Sequence, residues 1–451
     1  MTRTHLLGAA SAAALACLST VSHAQVPPIT GGGSTLAQFD YTAEFSVFNA
    51  AKKPIATFST YWEAGSGTGQ QAFIYDDLTC DINKVQNGGA CSGPAGGAGN
   101  TVDYGASDST LSSAQISTWA TSSFGQSAAG NLIQLPSMGV GISIPVNNPA
   151  ITANGQLEVS DNDLCGIFSG LLTDFSQITD SKTTPTPGPF NVVYRTDGSG
   201  TSFLLTSHLS AVCNANNTNP AVTFSATTTF ATLFPNNGAG VINSSAFPNA
   251  IGEAKSSGVA NELAGCNGAL PDAFGYLSPD FTTVDPQSGA TLGCQVNGSN
   301  KSPLVVAGVF NGKKSYTPTI ANIKLGLLHP QAGTGQNLTP PSNATEGANP
   351  ALWVPLEPLV TAGYPIVGYT TFDFAQCYAS TSVATAVGTF LADHYKVGKF
   401  TIYQKDNGFV TLSQSHASKF LTTIEANILA NKNGWNTDIE DATACSGLAG
   451  R

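Results

Sequence analysis

Arginine is almost missing from this chain. In 451 residues it occurs at Arg3, Arg195 and Arg451. Charge of either sign is scarce, at 10% of residues, against about 25% in an average soluble protein. With 17 basic and 28 acidic residues the formal net charge is −11. Nucleic acid and anionic membranes both need clustered cations, so neither is expected as a partner. His208, His329, His394 and His416 are scattered, with no H-E-x-x-H pattern, and no cysteine pair has C-x-x-C spacing. No metal centre or cofactor is therefore expected. A G-x-S-x-G elbow is also missing. Gly308 to Lys313 looks like a Walker loop but is one residue short of the motif's spacing. Beyond the N-terminal leader, no run is apolar enough to span a bilayer.

Apolar residues make up 41% of the chain, with 48 glycines and 25 prolines. That composition excludes a disordered chain and points to many turns. At roughly 100–200 residues per domain, two or three domains are expected. The first segment reads as a secretory signal over residues 1–24: a polar start with Arg3 and His5, an apolar Leu6 to Val21, then Ser22-His23-Ala24 at the cleavage positions. The mature chain then begins at Gln25 and is soluble and exported. Removing Cys17 with the leader leaves Cys80, Cys91, Cys165, Cys213, Cys266, Cys294, Cys377 and Cys445. An even number in an exported chain reads as disulfides. Spacing suggests Cys80–Cys91 and Cys266–Cys294 as local clips, without settling the connectivity.

Strand-like and helix-like runs alternate, which argues for α/β sheets. Leu132 to Val146 reads as a strand broken by Pro and Gly, and Asn191 to Tyr194 as another. Apolar spacing predicts helices over Ser202 to Val212, over Val383 to Tyr395 with Ser382 as cap and Gly398 as stop, and over Ser415 to Ala430. Asn297 to Asn349, rich in Gly, Pro, Asn and Thr, reads as an elaborated loop region.

Four segments share one character: Gly31-Gly32-Gly33-Ser34-Thr35-Leu36, Gly65-Ser66-Gly67-Thr68-Gly69, Gly105-Ala106-Ser107-Asp108-Ser109-Thr110 and Arg195-Thr196-Asp197-Gly198-Ser199-Gly200-Thr201. Each couples glycine, which admits close backbone approach, with hydroxyl donors. Each leads toward an expected helix N-terminus, where free N–H groups favour an anion. Any one of them alone is an ordinary capped turn. Four together, one carrying the lone internal arginine, point to an oxyanion site, because the guanidinium fork suits phosphate or carboxylate. Asp108 repels an anion unless that anion brings a proton. A monohydrogen phosphate does so and sulfate does not, so a buried Asp108 would select phosphate. Otherwise Asp108 simply caps the following helix, and Arg195 simply makes a structural salt bridge.

In order along the chain, these segments resemble the DING proteins, a branch of the exported phosphate-binding proteins in the type II periplasmic solute-binding class. The resemblance is carried by Ile29–Leu36, Gly65–Ile74, Ser107–Leu111, Leu132–Asn147, Leu164–Ile178, Val192–Thr201, Tyr276–Phe281, Trp353–Pro355, Gly363–Ala379 and the tail around Cys445. The family takes its name from Asp-Ile-Asn-Gly, and here the place holds Pro28-Ile29-Thr30-Gly31. The resemblance implies an α/β, two-lobed type II periplasmic binding protein fold with hinge strands and the ligand in the interlobe cleft. One lobe would comprise residues 25–140 and 366–451, the other 141–365 with the elaboration at 297–349. Hinges would lie near Met138 to Ser143 and Pro365 to Thr370. The phosphate ligands carry over to Thr35 and Leu36 (backbone N–H, and the Thr35 hydroxyl), Ser66, Asp108, Arg195, Ser199, Gly200 and Thr201. The resemblance also implies Cys165–Cys213 and Cys377–Cys445 as disulfides. It implies a monomeric receptor for inorganic phosphate in the periplasm or outside the cell, with an ABC-type phosphate transporter as partner. Two other readings stay open: a phosphomonoesterase using Ser66 or Ser199 as nucleophile, and an extracellular structural or adhesion protein.

Overall fold

A computed structural model of the chain describes residues 26–51, 54–80, 91, 93, 101–151, 157–179, 181–235, 240–268, 272–284, 291–333 and 337–451. The leader expected over residues 1–24 and the start at Gln25 lie outside the described residues. In chain order the principal elements are β1 (Gly31–Gly33), α1 (Gln38–Asn49), α2 (Ser66–Tyr75), β2 (Tyr104–Ser107), α3 (Ser113–Thr121), β3 (Leu132–Gly141), β4 (Val146–Asn147), α4 (Asp161–Ser169), β5 (Asn191–Arg195), α5 (Gly200–Val212), β6 (Ala250–Glu253), α6 (Lys255–Leu263), β7 (Ala273–Phe274), α7 (Ile320–Leu327), β8 (Val367–Ala375), α8 (Thr381–Tyr395), β9 (Val410–Thr411) and α9 (Ser418–Asn427).

Two mixed sheets organise these elements. The first has five strands in the order β9-β3-β8-β2-β1. Its β1 and β2 are parallel, whereas β8 runs antiparallel to both β2 and β3. Thr371 of β8 lies opposite Ser107, and Val367 lies opposite Gly141. Strands β3 and β8 are buried along their whole length, although β3 carries Gln134 and Ser137 and β8 carries Thr370, Thr371 and Asp373. Pro136 cannot donate to a ladder, and it sits where the β3–β8 register shifts between Tyr369 and Thr371. The second sheet has the order β4-β7-β5-β6, with β5, β6 and β7 parallel and β4 antiparallel to β7.

Two neighbouring segments join the sheets. Ile142 N–H donates to Ile366 C=O at 2.9 Å, and Tyr364 O–H to Ile142 C=O at 2.5 Å. One residue on, Ser143 N–H donates to Leu277 C=O at 2.7 Å, beside the second sheet. On α1, Phe45 stacks on Phe58 at 4.1 Å, and Tyr41 packs on Phe372 at 4.5 Å. Phe372 lies on β8, so the second contact fixes the helix to the first sheet.

Several element ends differ from the pattern reading. Helix α5 begins at Gly200, two residues before the apolar spacing starts, because Ser199 Oγ caps it by accepting from Ser202 N–H. Helix α8 is capped by Ser380 and not Ser382, since Ser380 Oγ accepts from Val383 N–H. It stops at Lys396, which turns extended before Gly398 is reached. Helix α9 is shorter than the apolar run. The 297–349 region is more ordered than a loop: it holds short strands at Gly308–Phe310 and Ser315–Tyr316 and helix α7, whose Ile323 and Leu327 enter the core. Gly and Pro there punctuate short elements. The four disulfides are Cys80–Cys91, Cys165–Cys213, Cys266–Cys294 and Cys377–Cys445, as expected.

Candidate functional site

The Gly-rich loops that follow strands of the two sheets meet one another. From the first sheet come Ser34-Thr35-Leu36 after β1, Ser66 in the first turn of α2, and Asp108 after β2. From the second come Arg195 at the end of β5, Ser199-Gly200-Thr201 at the start of α5, and Ser256 in the first turn of α6. The C-terminal ends of parallel strands and the N-termini of α1, α2, α5 and α6 thus converge. Their positive dipole ends favour negative charge, although first-turn N–H groups such as those of Gly67, Ser202 and Ser256 are already bonded within the protein.

The loops are in close contact. Gly67 N–H donates to Gly198 C=O at 2.8 Å. A Cβ added to Gly200 would lie 2.5 Å from Asp108 Cβ and 2.6 Å from its backbone nitrogen. Gly65 has φ of +91°, and a Cβ there would meet Asp197 Oδ2 at 2.5 Å. Only glycine lets these turns approach.

Asp108 sits at the centre and is 1% exposed. Ser34 Oγ donates to its Oδ1 at 2.6 Å, and Ser66 Oγ to its Oδ2 at 3.1 Å. Burial pushes the carboxyl up to about 6, against the lowering pull of the two hydroxyls and of Arg195. Asp108 is not a helix cap. Helix α3 starts at Ser113 and is capped by Ser112, so the third loop supplies a side chain and no dipole.

Arg195 is also 1% exposed. Its Nε donates to Asp197 Oδ1 at 2.7 Å, and its Nη2 is paired with Asp197 Oδ2. Burial raises the Asp197 carboxyl, but the Arg195 charge and hydrogen bonds outweigh it and hold the group below its ordinary value. Asp197 raises Arg195 in turn, against burial. The structural salt bridge therefore exists, and it uses only one edge of the fork. The remaining edge points Nη1 at Ser256 Oγ, 3.2 Å away. Thr35 Oγ1 lies 3.0 Å from the same Ser256 Oγ. One hydroxyl thus joins the Arg195 fork to the β1 loop.

The other expected residues fall in the same place with differing engagements. Leu36 N–H, expected to be an anion donor, instead donates to Ser34 Oγ at 3.1 Å. The Ser199 hydroxyl is occupied as the α5 cap. Thr201 Oγ1 is buried with no hydrogen-bond partner among the described residues. Sequence reasoning placed Ser34 and Asp197 within the loops but assigned neither a role at the site. It missed Ser256 altogether, and it named Tyr276 only as the start of a block that carries the resemblance, with no role at the site. Tyr276 O–H accepts from Arg195 N–H at 2.9 Å and lies 2.8 Å from Ser202 Oγ, which holds the end of β5 to the start of α5. Ser256 lies in Gly252-Glu253-Ala254-Lys255-Ser256-Ser257-Gly258, which pairs glycine with hydroxyls as the four loops do but was not counted among them. That run, and a strand followed at once by a helix, β6 then α6, were the available signals. No group of His, Cys, Asp and Glu side chains suited to a metal occurs among the described residues.

The model for a PBP superfamily domain matches residues 22–327. Alkaline phosphatase L of Pseudomonas aeruginosa is 31% identical, over 95% of this chain and 96% of its own. A phosphate-binding protein from an unknown prokaryotic organism is 30% identical, over 90% of this chain and 98% of its own. Among solved structures, the high-affinity periplasmic phosphate-binding protein PfluDING, bound with phosphate, aligns with a TM-score of 0.68 at 30% identity. That alignment covers 94% of this chain and 99% of the other.

Proposed function

The chain belongs to the PBP superfamily, in its DING-type phosphate-binding branch of the type II periplasmic binding proteins, and from that footing we propose that it captures inorganic phosphate at the converging loops. The family's α/β architecture is this chain's architecture, and its location is periplasmic or secreted. The observation that carries the proposal is the buried opposition of Asp108 and Arg195 among helix N-termini. The helix ends and the Nη1 edge of Arg195, which meets the Ser256 hydroxyl and no carboxylate, offer positive potential in a water-poor site. There it outweighs a distant, salt-screened net charge of −11. Asp108 accepts only from an anion that still carries a proton.

In this reading the hydroxyls of Thr35 and Ser256, now bonded to each other, turn to the anion together with Arg195 Nη1. Ser66, Ser199, Gly200 and the partnerless Thr201 hydroxyl complete the shell. Residues 25–140 with 366–451 and residues 141–365 act as two lobes. The paired segments 138–143 and 365–370 act as the hinge by which they close. An ABC-type phosphate transporter is the partner this reading implies.

Calorimetric titration of phosphate into anion-stripped protein, repeated in excess sulfate, tests it. One tight site, indifferent to sulfate, is expected. Arg195→Lys keeps the charge and loses the fork. It should cost about 1.5–3 kcal/mol of phosphate affinity, on the order of ten- to a hundred-fold. No heat with either anion would end the proposal.

The kinship to a protein named alkaline phosphatase L keeps a second reading in view, phosphomonoester hydrolysis at the same loops. Of the two serines expected as nucleophiles, only Ser66 touches a carboxylate able to take its proton. Turnover of a chromogenic phosphate ester, lost in Ser66→Ala, would favour hydrolysis. Phosphate binding without turnover favours the receptor.

A further inference from the structure

A cavity of about 530 Å³ opens beside Asp108 and Thr110. It runs along α5, past Phe203, Leu204 and Ser207 to Ala211, with Pro355 and Tyr369 opposite. Phe203 to Ala211 spans roughly 12 Å at about 1.5 Å per helical residue. His208 fixes the far wall to α5: its Nδ1 lies 3.2 Å from Pro358 C=O and its Nε2 3.0 Å from Asp161 Oδ1. The lining is largely apolar, and the volume falls within the range of small-molecule pockets.

Polar side chains interrupt that lining, Asp108, Thr110, Ser207, Ser210 and Gln331 among them, and Glu357 is the one whose buried oxygen lacks a partner among the described residues. Glu357 is 3% exposed and lines the cavity. Tyr369 O–H donates to its Oε1 at 2.9 Å, while Oε2 is buried with no partner among the described residues. A buried carboxyl oxygen left unpaired costs free energy, and such groups in native proteins mark a missing partner. Inorganic phosphate fills none of this space. An ester of phosphate does, because its organic group must leave the anion site on some side.

We infer that the cavity is a subsite for the organic group of a phosphate monoester, an apolar body carrying one hydroxyl that meets Glu357 Oε2. The inference rests on the phosphate reading, since it places the ester's phosphoryl group at the Asp108–Arg195 loops. It adds a substrate class that bare phosphate capture does not need.

Asp108 sets a condition on such binding. An ester dianion has no P–O–H to donate, so the complex takes up one proton, on Asp108 or on the ester. The ionisable groups coupled to Asp108 are Arg195, Tyr41 and Tyr61. Burial holds both tyrosines neutral, which leaves Arg195 as the charge among them. Glu357 is faced by Tyr369, and burial raises its carboxyl to about 8 against the lowering effect of that hydrogen bond. It therefore remains an acid able to donate at neutral pH. Ester affinity should rise as the pH falls toward 6, with proton uptake.

The test is calorimetry of full-length mature protein with inorganic phosphate, phenyl phosphate and 4-hydroxyphenyl phosphate, at pH 6 and pH 8. Both esters should compete with phosphate, more strongly at pH 6. Ser207→Trp fills the cavity from the α5 side. It should weaken both esters by at least about tenfold and leave inorganic phosphate within about twofold. Glu357→Leu should weaken 4-hydroxyphenyl phosphate more than phenyl phosphate. If inorganic phosphate binds and the esters do not, the subsite is refuted and the phosphate reading stands. Esters that bind equally well to Ser207→Trp also refute it. If neither phosphate nor ester binds, the underlying reading itself is lost.

Discussion

Asp108 is held by two hydroxyls and lies near a guanidinium, yet its carboxyl titrates near 6 because burial dominates. A folded-state value above the ordinary carboxylate value means that ionisation works against folding. The cost is absent below about pH 4, where both states are protonated, and is complete above pH 6. A shift of about two units corresponds to at most ~3 kcal/mol. Ligand-free Asp108→Asn should therefore resist urea better than the parent at pH 8, by up to that amount, and equally at pH 4. It should also lose its rejection of sulfate. Equal urea midpoints at pH 8 would mean that the buried carboxylate carries no such cost. Arg451 shows what the other described arginine does: its guanidinium lies 4.7 Å from the Phe73 ring centroid and 4.9 Å from that of Trp119, and its Nε donates to Val102 C=O at 3.0 Å. That is a packing role, with no part in the site.

Helix α5 serves two neighbourhoods. Its first turn meets Asp108, and its next two turns line the cavity. Gly200 opens the first of these turns, against Asp108. Alanine there improves intrinsic helix propensity by up to about 1 kcal/mol. It also drives a methyl against the Asp108 backbone, which cannot swing aside as a flexible side chain could. Gly200→Ala should thus keep its circular dichroism while phosphate affinity falls by about tenfold or more. Unchanged affinity would show that the loops need not meet this closely to hold the anion. The elements of the 297–349 region illustrate the limits of composition. Its Gly and Pro content suggested loop, but the apolar spacing within Ile320–Leu327 was enough to form α7 once β3 and β8 offered a surface. The Ser382 cap failed for a related reason: several serines and threonines were eligible, and backbone conformation chose Ser380.

Across the whole molecule, burial of carboxyls sets the pH dependence of stability. Asp103 is raised to about 7 and Glu357 to about 8, chiefly by burial, and Asp40, Glu44 and Asp373 are also raised by burial. Each contributes stability that is full below the ordinary carboxylate value and is lost as the pH rises through the folded-state value. His394, lowered by burial to about 4, works the other way between about 4 and its ordinary value. Asp197, held low, loses its contribution only in stronger acid. The carboxyls outnumber the histidine, so ligand-free protein should unfold at lower urea at pH 8 than at pH 5.5. A midpoint that rises with pH across that window would contradict the burial account.

The sequence by itself determined the alternation of strands and helices, the four Gly-hydroxyl loops and their bias toward an oxyanion, and the family, because each is written in neighbouring residues. Spacing nominated two disulfides, and the resemblance supplied the other two. Tertiary structure decided which groups face one another. The pairing of Arg195 with Asp197 takes one edge of the fork, and Ser256 arrives from α6 to meet the other edge. Glu357 reaches the neighbourhood of Asp108 across almost two hundred and fifty residues of chain, and no local pattern anticipates that meeting. The physical reason is that hydrogen-bonding capacity is a property of a residue. Whether that capacity is already spent depends on what the fold packs beside it.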